Sequence, residues 1–167
     1  MSVARYQVRR DDLSGAAVRA LLELHLQQMH AWSPPGSVYA LGLSGLLRVD
    51  VTVWSAWRGD ELASVGALRT LGDGTAELKS MRTHPAFLRQ GAAAAILDHI
   101  ITVARERGLT RLSLETGSGA AFEPALALYR RRGFVDGDAF GGYQHNGFSQ
   151  FLHLSLAHAA TATPDAL

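Results

Sequence analysis

The amino-acid sequence predicts an α+β domain: a mixed, mostly antiparallel central sheet of about six to seven strands with helices on both faces. Three features carry that expectation. Residues 49–83 alternate apolar and polar positions in runs broken by compact Gly/Asp clusters, the pattern of an antiparallel meander. From Ala92 to Arg107 the apolar period changes to that of a helix. The full series then reads strand, helices, three antiparallel strands, helix, strand, helix, strands.

Taken in order, Tyr6 and Val8 alternate with charged and polar neighbours as a short strand, and Asp11 and Asp12 offer N-caps to the helix that follows. Val18, Leu21, Leu22, Leu26 and Met29 fall at helical spacing, and Ser33-Pro34-Pro35-Gly36 ends the helix because proline cannot continue it. Residues 39–47 form a second short helix in this reading. Val49, Val51, Val53 and Trp57 mark a strand, Arg58-Gly59-Asp60 turns it into Leu62–Leu71, and Gly72-Asp73-Gly74 turns that into Thr75–Thr83. Ile96, Ile100 and Val103, with Leu97, Ile101 and Ala104, make the apolar stripe of the next helix, and Gly108 is a natural residue just past its end. Leu112 and Leu114 give a short strand, and Thr116–Ala121 a loop of small residues. Pro124 fits the first turn of a helix ending at Gly133, where Arg130, Arg131 and Arg132 suit the negative end of the helix dipole. Phe134–Val135 and Gln150–Leu156 are read as strands. The domain is expected over residues 1–158, with 159–167 a flexible tail of small and polar residues.

Composition removes several functional classes. Among 167 residues, 16 are Lys or Arg and 15 Asp or Glu, so a net charge of +1 creates no basic field for nucleic acid or membrane surfaces. There is no Cys, which excludes thiol nucleophiles, thiolate metal sites and disulfides. The single Lys, Lys79, is in no Gly-Lys-Ser/Thr context, which makes a P-loop hydrolase a poor reading. His84, His99, His153 and His158 show no metal-ligand spacing, and no metal is expected. With no apolar run of about 18 residues and no signal-like apolar core, a soluble, cytoplasmic protein is expected.

The most informative stretch runs from Thr83 to Ala95, Thr-His-Pro-Ala-Phe-Leu-Arg-Gln-Gly-Ala-Ala-Ala-Ala. A strand ends at a proline, a short loop follows, and one Gly and four Ala open a helix. Small side chains there let a ligand approach the backbone, and the unpaired first-turn N–H groups suit a phosphate. An ordinary strand–helix connection with Ala selected for propensity looks the same.

The context separates these readings. Leu88-Arg89-Gln90-Gly91-Ala92-Ala93 resembles the cofactor loop Gln/Arg-x-x-Gly-x-Gly/Ala of the GNAT superfamily, the Gcn5-related N-acetyltransferases. Gly91 and Ala93 fit it, and Leu88 stands where the family usually has Arg or Gln. Pro124–Phe134 resembles the family's second motif, Ala-x-x-Leu-Tyr-x-x-x-Gly-Phe, with Ala125, Leu128, Tyr129, Gly133 and Phe134 in register. Phe122 occupies a place where many relatives have Asn. The resemblance covers about residues 5 to 156 in the same element order. Glu77–Arg82 and Phe140–Ser149 are similar to segments of a group of small bacterial members.

That resemblance implies a direct transfer of acetyl from acetyl-CoA to an amine of a small molecule or peptide, in a ternary complex. The sheet would splay between Thr75–Thr83 and Arg111–Glu115. Pantetheine would pair with the strand edge at Met81, Arg82 and Thr83, and the pyrophosphate would sit on the loop formed by Leu88, Arg89, Gln90, Gly91, Ala92, Ala93 and Ala94. A strand N–H near Met81 would polarise the thioester carbonyl. Tyr129 would protonate the departing thiolate, a chemically reasonable match for a phenol; the same residue also reads as a core aromatic. Strand alternation puts Glu77, Lys79 and Met81 on one face unless a bulge intervenes. Glu77 is therefore the candidate base, or else a partner for Lys79. His25, His30, Trp32 and Tyr143 are candidates for the acceptor site. Family members often pair through their late strands, and the apolar Phe151, Leu152, Leu154 and Leu156 allow a homodimer. The alternative to an enzyme is a degenerate acyl-CoA-binding module of the same fold.

Overall fold

The computed structural model describes residues 5–156; the tail expected over 159–167 lies outside them. Its elements are β1 (Gln7–Asp11), α1 (Ala16–Trp32), α2 (Leu43–Leu46), β2 (Val51–Arg58), β3 (Glu61–Thr70), β4 (Thr75–Thr83), α3 (Ala92–Glu106), β5 (Arg111–Thr116), α4 (Glu123–Arg131), β6 (Val135–Asp136) and β7 (Gln150–Ser155). Single 3-10 turns at Pro85–Phe87 and Ala120–Phe122 precede α3 and α4. The strands form one seven-stranded sheet in the order β1-β2-β3-β4-β5-β7-β6. Every neighbouring pair is antiparallel except β4 and β5, which are parallel. The expected mixed α+β sheet is observed.

The two faces of the sheet carry separate cores. α1 lays Val18, Leu21 and Leu22 on Val51, Val53, Val65 and Ala67. α3 and α4 cover the other face, where Ile96, Leu97 and Ile100 are inaccessible to solvent beside Leu68, Leu78, Leu112, Leu126 and Leu152. Each of these aliphatic side chains contributes roughly 1.5–3 kcal/mol through burial. The apolar residues of β7 belong to this interior as well: Phe151, Leu152, Leu154 and Leu156 are buried within the chain. Their side chains pack inside the chain and do not form an exposed apolar face.

Two local expectations are corrected. Asp11 and Asp12 do not cap α1. Asp11 accepts from the Leu13 amide at 2.8 Å and Asp12 from the Ser14 amide at 2.9 Å, so both carboxylates stabilise the turn before the helix. The helix itself starts after Gly15 with no side-chain cap. The second helix is one turn, Leu43–Leu46, and not residues 39–47; Tyr39 and Ala40, left outside it, line the cavity described below.

A third difference shapes the site. Between the pairs Val65↔Arg82 and Ala67↔Lys79, β3 advances two residues and β4 three, so β4 carries one extra residue. Ser80, at φ 56°, sits in this bulge. Glu77 and Lys79 keep a common face, but Met81 turns to the α3 side, where its sulfur crowds the site above Gly66 together with Ile96 and Ile100. Arg82 turns to the α1 side instead. The expected grouping of Met81 with Glu77 and Lys79 is overturned, because a bulge shifts the alternation of every residue after it. Among the described residues no helix is long and apolar enough to cross a membrane.

Candidate active site

The parallel pair β4–β5 stays in register only over Thr75↔Arg111, Ala76↔Leu112 and Glu77↔Ser113. Beyond Glu77, β4 remains bonded to β3 and β5 to β7, while their facing edges separate. A cavity of about 150 Å³ occupies the split. Its walls are β4 from Glu77 to Arg82, β5 from Leu114 to Thr116, the α1 residues His25, Met29 and Trp32, the connection Ser37–Ala40, and Phe122, Ala125, Tyr129 and Phe148.

At one end of β4 the chain passes through the Pro85–Phe87 turn into α3. Arg89 and Gly91 both take left-handed conformations, at φ 59° and 80°. Gly91 precedes the helix without a side-chain cap, and the space where its Cβ would lie is open. The first intrahelical bond runs from the Ala95 amide to the Gly91 carbonyl, which leaves the amides of Ala92, Ala93 and Ala94 without a helical acceptor. The loop is anchored from behind. Tyr6 donates to the Gln90 carbonyl at 2.8 Å, Arg58 reaches the Gln90 side chain at 3.1 Å, and Ser64 donates to the Ala92 carbonyl at 2.8 Å. Gln90 thus directs its side chain into the fold, and Leu88 is exposed.

Tyr129 lies at the cavity wall on α4 and is 6% exposed. Among the described residues no hydrogen bond engages its hydroxyl. Burial pushes its pKa well above that of a free phenol, and the Arg82 guanidinium opposes this. Phe122, in the place of the Asn found in many relatives, stacks edge-on with Trp32 and Phe148 at 6.3 and 5.6 Å and makes that end of the cavity aromatic. Gly117 permits this packing: a Cβ there would lie 2.4 Å from the Phe148 ring and 2.6 Å from the Phe122 ring.

The α1-side face of the split is polar. Lys79 donates to Glu77 at 3.2 Å and to the Tyr143 hydroxyl at 2.9 Å, and Tyr143 donates to the same Glu77 carboxylate. Glu77 and Lys79 are buried at 2% and 9% exposure, so each charge depends on the other. Tyr39 packs edge-on against Tyr143 at 4.9 Å. Glu115, on the facing edge of β5, is different. Burial raises its pKa above the ordinary carboxylate range, Glu77 adds to this, and Ser149 and Lys79 partly offset it. Arg82 donates from Nε to His25 Nδ1 at 3.0 Å and from Nη1 to Gln28 at 2.6 Å. His25 is consequently buried as a neutral acceptor, its pKa lowered to about 3 by burial, then by Arg82 and Lys79.

The structure therefore brings Tyr129, Glu77, Met81, Arg82 and Trp32 to one cavity, with Tyr143 tied to it through Glu77 and Lys79. Thr83 ends the β4 edge, and Leu88–Ala94 form the adjoining loop and helix start. His30 lies on α1 but does not line the cavity. The sequence reading missed Glu115 and the connection residue Tyr39. Alternation with the buried Leu112 and Leu114 placed Glu115 on the face shared with Ser113, a signal available from β5 itself.

Fold and site together define a class of protein whose mixed sheet opens around a cavity, between two parallel strands that part. The family model described as acetyltransferase (GNAT) family matches residues 18–134. The chain is 48% identical to the uncharacterized N-acetyltransferase YsnE of Bacillus subtilis over 149 residues, covering 89% of this chain and 99% of that protein. It is 46% identical to the uncharacterized N-acetyltransferase YedL of Escherichia coli over 151 residues, covering 90% and 95%. A Bacillus subtilis acetyltransferase solved in complex with CoA shares the fold, with a TM-score of 0.67, 19% identity, and coverage of 91% of this chain and 99% of the other. The chain belongs to the acetyltransferase (GNAT) family of enzymes.

Proposed function

We propose that this enzyme transfers the acetyl group of acetyl-CoA directly to an amine of a small molecule or peptide while both substrates are bound. The observation that carries the reading is the split itself. An unpaired β4 edge, a cavity lined by Tyr129 and an uncapped α3 start with open space at Gly91 lie in sequence along one strand and its continuation. These residues fit the co-substrate: the edge Leu78–Thr83 offers strand-type hydrogen bonds to an amide-containing arm, and the amides of Ala92, Ala93 and Ala94 offer donors to a pyrophosphate. The likeness to a protein solved with CoA supports the same assignment.

Bound acetyl-CoA supplies a thioester, in which the new C–N bond forms as the C–S bond breaks. Glu115 accepts the proton that the amine must lose; its raised pKa makes it a better base than an ordinary surface carboxylate, while Glu77 is held by Lys79 and Tyr143. Tyr129, unengaged by other side chains at the cavity wall, gives a proton to the departing sulfur and regains one from solvent; burial makes it a weaker acid than a free phenol, and the Arg82 guanidinium offsets this. With no Cys in the chain, an acetyl-cysteine intermediate cannot form. Binding without turnover is a second reading, favoured by the exposed Leu88 and by Phe122 at the Asn position.

Release of free CoA with a panel of amines, together with thermal stabilisation by acetyl-CoA, separates the two. Stabilisation with amine-dependent CoA release is expected; stabilisation without release favours the binding module, and neither effect overturns both. Glu115→Gln is expected to lower kcat by about 10²-fold or more and to remove the rise of rate with pH above the usual carboxylate range. Glu77→Gln, compared in parallel, should instead lower the melting temperature by breaking a buried ion pair.

A further inference from the structure

The Arg82 side chain has a stronger demand for an anion than its role in the sheet explains. Its two engaged donors go to neutral groups, His25 Nδ1 and Gln28 Oε1. Its Nη2 is buried and has no hydrogen-bond partner among the described residues. The guanidinium also lies 5.3 Å from the Trp32 ring, which contacts it on a face and supplies no acceptor. A guanidinium is a rigid fork that matches a carboxylate with two parallel hydrogen bonds, and a buried cation left without an anion is costly. Here the fork is fixed from behind by α1, and the residue borders the cavity.

The bulge at Ser80 is what delivers it there. Without the extra residue, Arg82 would point to the α3 side and Met81 to this one. Across the split, on the facing edge of β5, Glu115 lines the same cavity, while Glu77 on β4 is neutralised by Lys79. An unpartnered guanidinium nitrogen on β4 and a carboxylate on the facing strand β5, both on residues that line one cavity, suit a molecule with an anion and an amine.

We propose that the acceptor is an amino acid, its carboxylate bound by Arg82 and its amine directed to Glu115. This rests on the acetyltransferase reading above and names the acceptor class for the same site. It assigns Arg82 two separable functions: its backbone belongs to the β4 edge, and its side chain selects the acceptor.

The test pairs each acceptor with its own uncharged form. CoA release from acetyl-CoA is measured for free amino acids, from glycine through aliphatic and aromatic L-amino acids to 6-aminohexanoate, each against its carboxamide. At least one acid is expected to exceed its amide by tenfold or more in kcat/KM, mainly through KM. Arg82→Gln, which keeps an amide donor towards α1, should erase that preference, and Arg82→Lys should restore part of it. Calorimetry with N-acetyl amino acids and their amides, with and without CoA, reads the same discrimination without turnover and bypasses any loss of catalysis in a variant. Transfer to amines with no acid preferred over its amide, or a preference that survives Arg82→Gln, overturns this proposal and leaves the acetyltransferase reading intact. No stabilisation by acetyl-CoA and no CoA release, with N-acetyl acids still bound in preference to their amides, overturns the acetyltransferase reading and leaves the anion site standing.

Discussion

His25 ties its own protonation state to a single contact. Its Nδ1 accepts from Arg82, so its ring must stay neutral, and burial holds its pKa at about 3. The ordinary value is 6.5, so on acidification the unfolded chain takes up this proton first. The contribution of His25 to stability is therefore complete above about pH 6.5 and is lost progressively as the pH falls towards 3. His25→Asn keeps an acceptor for Arg82 and cannot take the proton; urea unfolding across that range should show a shallower loss of stability than wild type. An unchanged pH slope would show that other groups govern acid unfolding. Individual residues were unevenly legible in the sequence. Tyr129 could be found because its helix carries a spaced motif with Gly133 and Phe134. The surroundings of Glu115 and of the Arg82 side chain could not be read locally, because they come from burial and from partners far away in the chain, Ser149 for one and His25 and Gln28 for the other.

At the scale of elements, hydrophobic period and turn chemistry defined the meander and both long helices closely. Gly59 at the first hairpin and the Gly72–Gly74 cluster at the second have the positive φ their turns require. What the pattern could not show was the single extra residue in β4. A bulge shows only in the pairing with β3, a long-range property. The α3 start was legible for the opposite reason, since its features are local. Gly91 at φ 80° sets the loop's path, and the space around it would admit a methyl group, so the penalty of Gly91→Ala is conformational. That substitution should cost about 1–2 kcal/mol in unfolding free energy. Acetyl-CoA affinity, measured by calorimetry, should fall several-fold as the amides of Ala92–Ala94 are displaced; an unchanged affinity would remove this loop from the cofactor site.

The whole molecule was visible as an element order, and the family resemblance put the split between the strands that form β4 and β5. The order strand, helices, meander, helix, strand, helix, strands anticipated a mixed sheet with cores on both faces. Where the sheet splits is decided by how far β4 and β5 stay in register, three residue pairs, and no local pattern encodes that length. The split unites the account, because it opens the β4 edge, exposes Tyr129 to the cavity and places Glu115 opposite Lys79 and Glu77. The most direct test compares wild type with Tyr129→Phe at saturating acetyl-CoA, measuring amine-dependent CoA release and, separately, acetyl-CoA affinity by calorimetry. The account predicts a fall in kcat of about 10²-fold or more with affinity nearly unchanged. Loss of affinity with kcat retained, or turnover equal to wild type, would contradict it.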